Sequence, residues 1–245
     1  MQRFTRLALD LVPGLLVIGL ISLGRPCVAQ EPEGPGAGGR RAGSVFAPSG
    51  YAGLIVPLQQ RIGLRLYGWY IGKLKAPGVT AEFPIRTTRF LTITPGYQYM
   101  QMPPSGIDNY VEQPGGFTET YREHQFRLDG TFKFSIHQLE ITDRNMYVRR
   151  FRPAWVGDDI NRYRNRIGIA HPVPVKGQIW KPFASFEAFF DQGRSGSVKN
   201  RVWVGVNLPL QQQVVFQPGY IWENNRVPGV RDVNYLLFAL IVSPR

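Results

Sequence analysis

The sequence predicts an all-β chain closed into an antiparallel up-and-down transmembrane β-barrel of about ten strands, eight or twelve being the neighbouring even counts. Three observations predict it. Between residues 122 and 136, alternate residues separate into two rows. Glu123, Gln125, Arg127, Asp129, Thr131, Lys133 and Ser135 form one, and His124, Phe126, Leu128, Gly130, Phe132, Phe134 and Ile136 form the other. Only a strand projects alternate residues to opposite sides, and this one is about twice the usual soluble length, which suits a tilted bilayer crossing. Similar alternating segments recur along the chain, separated by turn residues. Finally, the N-terminus reads as an export signal, and nothing after it offers an apolar helical span.

The elements follow in order. Arg3 and Arg6 precede an apolar run over residues 11–23, interrupted by Pro13 and Gly14, and Cys27-Val28-Ala29 supplies small residues for signal peptidase. Residues 1–29 are therefore expected to be a cleaved signal peptide, residues 30–50 a flexible Gly/Pro-rich leader, and residues 51–245 the barrel. Cleavage after Ala29 discards Cys27, the one cysteine, and with it disulfide and thiol chemistry. A first strand is expected over 51–58 and a second over 61–74, where Ile62, Leu64 and Leu66 oppose Arg61, Arg65 and Tyr67. Further strands are expected over 89–100, 122–136, 139–152, 162–170, 180–190, 200–208, 214–223 and 233–242. Asp129-Gly130 is a hairpin dipeptide, but the alternation keeps its phase across it, so 122–136 stays whole. With the chain starting in the periplasm, the short connections at 135–138, 172–178 and 211–213 fall on the periplasmic side. Those at 103–119, 153–160, 192–198 and 224–231 fall outside. Residues 75–87 are too long for a periplasmic turn, so they hold extra structure or the first two strands are misplaced.

Taken in order, several segments resemble a known family. They are Tyr121-Arg122-Glu123-His124, Arg144, Arg150-Phe151, Asn161-Arg162-Tyr163-Arg164-Asn165-Arg166, Ser185-Phe186-Glu187, Asn200-Arg201-Val202 and Pro218-Gly219-Tyr220, followed by a final aliphatic strand. The family is the bacterial domain of unknown function 2490, and the resemblance covers most of the chain after the signal. It implies an outer-membrane-like β-barrel and carries no assigned activity. Val148 stands where that family usually shows a glutamate, and the chain ends Ser243-Pro244-Arg245 rather than on a terminal aromatic.

The formal charge is +12, and the proposed lumen faces carry Arg61, Arg65, Arg127, Lys133, Arg162, Arg164, Arg166 and Arg201. Glu123, Asp129, Glu140 and Glu187 are available as ion-pair partners. In a narrow barrel these groups pair across strands and fill the interior, while any unpaired excess of arginine favours small anions. Export argues against nucleic acid as the partner of this basic chain. Outer-membrane lipid is the expected surroundings, and lipopolysaccharide phosphates are candidate partners for loop residues Arg194, Arg226 and Arg231. Two other readings stay open. A lipid- or lipopolysaccharide-modifying barrel enzyme would use a nucleophile and base such as Ser135 and His137, which share a face. A soluble periplasmic barrel holding an apolar ligand would invert the faces, with Phe126, Phe132 and Phe134 inside. His124, His137 and His171 are scattered, so neither a metal site nor a cofactor is expected. Glu187 and Asp191, four apart on one face, lie some 13 Å apart at strand rise, too far for a glycosidase pair.

Overall fold

The computed structural model describes residues 45–71, 76–102, 120–194, 196–226 and 232–244; the expected signal peptide and most of the leader lie outside these. The described residues form thirteen strands and no helix. They are β1 (Val45–Pro57), β2 (Gly63–Ile71), β3 (Ala76–Glu82), β4 (Ile85–Arg86), β5 (Leu91–Met102), β6 (Tyr121–Ile136) and β7 (Leu139–Phe151). Then follow β8 (Ile160–Ala170), β9 (Val173–Val175), β10 (Gln178–Asp191), β11 (Lys199–Gln211), β12 (Val214–Asn225) and β13 (Val233–Val242). Eleven of them close a barrel in sequence order, with β4 and β9 as short additions pairing β5 and β10. A twelve-residue strand runs about 40 Å, or about 30 Å of height at the usual tilt, which is the thickness of a bilayer's hydrocarbon.

The barrel is antiparallel except at its seam, where β1 and β13 run parallel from Val45↔Val233 to Leu54↔Val242. The odd strand count causes this, and it corrects the even count expected. Within the stretch expected to be too long for a turn, residues 76–82 and 85–86 form β3 and β4. β3 alternates Ala76, Gly78, Thr80 and Glu82 inward against Pro77, Val79 and Ala81 outward, but its small residues carry little hydrophobic contrast. Gly78 is needed there, since a Cβ would sit 2.2 Å from the Trp69 ring that fills this part of the interior. β1 also begins ahead of residue 51, and its start lies at the same end as the long connections. The turn at 58–62 consequently joins the short turns at the opposite end, contrary to the expected direction of the first strand. β6 stays unbroken through Asp129-Gly130.

The two faces separate cleanly on β6. Glu123 (0% exposed) and Asp129 (3%) are buried inside, while Phe126 (57%) and Leu128 (53%) face out. This rules out the inverted arrangement with the phenylalanine row inside. Leu236, Phe238 and Leu240 on β13 and Val204 on β11 extend the outward apolar belt. Aromatic residues border it. Tyr97 hydrogen-bonds His124 at 2.6 Å, Tyr220 donates to Asn234 at 2.8 Å, and Trp180 and Trp222 are exposed. Trp69, Trp203 and Tyr235 instead point inward, so interfacial aromatics are only part of the set the sequence offers.

At the long-loop end two apolar clusters line the interior. Ala47, Val233 and Tyr235 form one, with Ile71 and Ile221 against it. Met100, Met102 and Tyr121 form the other, and Val156, from the loop between β7 and β8, packs onto it. That loop is tied down by Arg149 to Asp159 at 3.2 Å and by the Tyr121–Trp155 edge-to-face contact.

Candidate functional site

The interior is a lattice of arginines and carboxylates presented by the inward rows of neighbouring strands. Cross-strand register places opposite charges side by side, for example Asp191↔Arg162 and Arg201↔Glu223. Bidentate guanidinium–carboxylate geometry then fixes both partners. On the long-loop side, Arg150 donates to Glu123 at 2.8 and 2.6 Å and Arg162 to Asp191 at 2.5 and 3.0 Å; all four side chains are essentially buried. Gln125 donates to the same Glu123 at 2.5 Å. Lys199 reaches Glu223 at 3.2 Å.

Around the middle of the barrel most carboxylates serve more than one cation. Glu187 pairs with Arg164 at 2.8 Å and Arg201 at 3.5 Å, and Arg201 also donates to Glu223 at 2.5 Å. Asp129 holds Arg144 at 2.5 Å. Glu82 collects Arg127 at 3.4 Å, Arg144 at 3.5 Å and Arg65 at 3.8 Å, while Arg127 also donates to Gln98 at 2.8 Å. The buried ring of Phe189 lies at the centre of this wall, with Arg164 and Lys199 each 4.6 Å and Arg201 5.1 Å from its centroid. A π face is the one apolar surface that attracts cations, so Phe189 packs the arginines while lowering the cost of their proximity.

Arg166 differs from its neighbours. It lines the interior cavity but has no carboxylate within 4.0 Å and makes no side-chain hydrogen bond among the described residues; its nearest defined partner is the Trp203 ring, 6.0 Å away. The cavity has a volume of about 650 Å³ and is lined by Arg65, Arg127, Arg144, Arg164, Arg166 and Arg201 along with Tyr51 and Tyr67. That is room for roughly twenty waters at about 30 Å³ each, enough for a small anion with part of its hydration shell. Toward the short-turn mouth the charges become accessible. Arg65, Lys133 and Lys181 are 37%, 56% and 31% exposed, and Glu140 accepts from Lys133 at 2.7 Å and from Lys181 at 2.6 Å.

The interior thus brings together Arg65, Arg127, Arg162, Arg164, Arg166 and Arg201, with Lys133 at the mouth and Glu123, Asp129, Glu140 and Glu187 as partners. Arg61 is the exception. It lies in the turn before β2, exposed, with its carbonyl accepting the Arg86 N–H at 2.8 Å, and so is not a lumen residue. Glu82, Glu223, Arg144 and Lys199 complete the lattice without having been singled out as interior residues. Glu82 belongs to the missed strand β3. Glu223 ends an inward row, Gln217, Gly219 and Ile221, with little polarity contrast to mark it.

Other sequence candidates are not assembled into sites. Ser135 is exposed at the short-turn end of β6, and His137 occupies the following turn with a φ of 55°, in the left-handed region. No hydrogen bond joins them or draws in a third residue among the described residues. The described residues also contain no group of three or more His, Cys, Asp or Glu able to hold a metal. Arg194 and Arg226 lie in the connections at the long-loop end, and Arg231 is outside the described residues.

The comparison with curated proteins found no match. Among solved structures, the chain is similar to LpxR from Salmonella typhimurium at 10% identity, covering 74% of this chain and 83% of that one with a TM-score of 0.47. It is also similar to OmpT, an outer membrane protein of Vibrio cholerae, at 11% identity, 66% and 51% coverage and a TM-score of 0.38. An anion-selective porin from Comamonas acidovorans gives 11% identity, 75% and 53% coverage and a TM-score of 0.36. The chain spans about half the length of the last two. A family model described as Protein of unknown function (DUF2490) matches residues 51–234, from within β1 to the start of β13. The chain belongs to the DUF2490 family.

Proposed function

We propose that this protein is a bacterial outer-membrane β-barrel, exported through a cleaved signal peptide, whose arginine-rich interior favours small anions and supports at most a low conductance. The membrane location is supported by a closed barrel with no unpaired edge, an outward apolar belt and charges confined largely to the inside. Anion preference is supported chiefly by one observation: Arg166 faces the cavity with no carboxylate within 4.0 Å, while the other interior arginines are largely neutralised by their pairs. An unneutralised guanidinium in a confined, partly dry space raises the local anion concentration and repels cations. Low conductance is supported by the bulky side chains that project into the interior toward the long-loop end, among them Met102, Tyr121 and the buried Arg150–Glu123 pair.

The test is the reversal potential of the purified barrel in a planar bilayer under a potassium chloride gradient. The wild type is expected to be anion-selective, and Arg166→Glu to lose or reverse that preference. A cation-selective wild type, or an Arg166→Glu variant with unchanged selectivity, would overturn the proposal.

A further inference from the structure

The outward wall of the barrel is apolar through its middle except on β7 and β8. There Asp143 and Asn145 of β7 and Tyr163 and Asn165 of β8 point outward, on the opposite face from Arg144, Arg164 and Arg166. The cross-strand rows fix the height of this patch. Asp143 lies in a row with Phe132, Ile167 and Phe186, and Asn145 in a row with Gly130, Asn165 and Ala188. On adjacent β6, Phe126 and Leu128 lie toward one end and Phe134 and Ile136 toward the other. The polar group is therefore inside the apolar belt, away from both interfaces. Polar and ionisable groups at this depth are costly unless a partner satisfies them.

The cluster satisfies itself only in part. Asn165 Nδ2 donates to Asp143 Oδ1 at 2.9 Å and to Asn145 Oδ1 at 3.0 Å, and the Tyr163 hydroxyl also donates to Asn145 Oδ1. Asn145 Nδ2 is left as a donor without an acceptor among the described residues. Asp143 Oδ2 and Asn165 Oδ1 are left as acceptors without donors. Donor and acceptors lie side by side, so a copy of the same patch turned by a two-fold axis offers each the group it lacks. Gly130 and Ala188, with no side chain or a small one, flank the asparagine row, and a Cβ at Gly130 would meet Ile93 and Leu91 only at ordinary contact distances of 3.7 and 3.9 Å. A partner wall can therefore approach closely.

We infer that the protein self-associates in the membrane through this β7–β8 patch, the unmet amide and carboxylate groups of one copy pairing with those of the other. A lipid headgroup fits less well, because headgroups gather at the interfaces while this patch lies between them. The inference rests on the membrane-spanning reading, which heat-modifiable migration on gels reports separately.

The experiment uses the full chain in a Cys27→Ser background, with mass measured by light scattering in detergent and association by energy transfer between labelled copies in liposomes. The wild type is expected to show twice the mass of one chain and energy transfer in liposomes. Asp143→Leu/Asn145→Leu/Asn165→Leu, which turns the patch into ordinary lipid-facing wall, is expected to be monomeric with its heat shift intact. Ile167→Cys, beside the patch, is expected to cross-link, and Leu240→Cys, on the far wall, to remain uncross-linked. A monomeric wild type with a normal heat shift would overturn the inference, as would a dimer that survives the triple substitution or cross-links through Leu240→Cys. Loss of the heat shift in the wild type would instead count against the membrane-spanning reading.

Discussion

Replacing Glu187 tests whether the interior lattice is held by paired charge. Glu187 is 3% exposed, holds Arg164 at 2.8 Å and Arg201 at 3.5 Å, and sits across from Arg166 in register. In Glu187→Leu, Arg201 keeps Glu223 at 2.5 Å, but Arg164 loses the one carboxylate within 4.0 Å of it among the described residues. Removing one partner of a buried pair typically costs about 3–5 kcal/mol, because the other charge is left desolvated. Arg164 retains 16% exposure to the cavity and the face of Phe189 at 4.6 Å, which places the expected cost near the lower limit, about 3 kcal/mol. At roughly 1–3 kcal/mol per molar urea, the unfolding midpoint should fall by about 1–3 M. Urea titration in lipid vesicles, followed by tryptophan fluorescence and heat-modifiable migration, measures this directly. The companion Arg164→Met/Glu187→Leu removes both charges and should recover most of the loss. A cost for Glu187→Leu below about 1 kcal/mol, or a double variant no better than the single, would refute the reasoning.

Three further outcomes are expected. Phe189→Ala removes a buried ring that several cations pack against and should destabilise by about 3–5 kcal/mol in the same titration. Phe238→Arg places a charge on the outward face of β13, where Phe238 stacks on Phe216, and should cost about 2–4 kcal/mol, while its stability in vesicles should depend on acyl-chain thickness. Glu140→Gln breaks the pairs with Lys133 and Lys181 at the accessible mouth, where water screens both, and should cost no more than about 1 kcal/mol.

How much of this was legible in the sequence varied with side-chain contrast. β6 alternates polar and apolar residues over most of its length, so its length and its two rows were readable, while the burial of Glu123 and Asp129 against exposed Phe126 and Leu128 decides which row faces in. The arginine run of β8 was equally plain, because Arg162, Arg164 and Arg166 share one parity, with the uncharged Tyr163 and Asn165 between them. β3 was missed because Ala, Pro and Gly give almost no contrast between faces, and with it went Glu82, which gathers three arginines. The odd strand count and the parallel seam were hidden for the same reason. Alternation identifies faces but not cross-strand partners, so it could not say that Arg164 is tied to Glu187 while Arg166, two residues on, has no carboxylate within 4.0 Å. Register decides that, and register depends on turns and bulges along the whole barrel. The outward asparagines were visible as letters but were assigned to no face, and only pairing across β7 and β8 shows them gathered within the apolar belt.

In a membrane-spanning barrel the charged row of β6 lines a wet interior while the adjacent row meets lipid. Single cysteines at Leu128 and Thr131, in a Cys27→Ser background and carrying an environment-sensitive fluorophore, test this in liposomes containing lipids brominated on their acyl chains. The label at position 128 should be quenched by the brominated chains and not by aqueous iodide, and the label at position 131 should behave in the opposite way. Exchange of those two patterns, or quenching of both labels by iodide alone, would contradict the barrel as described.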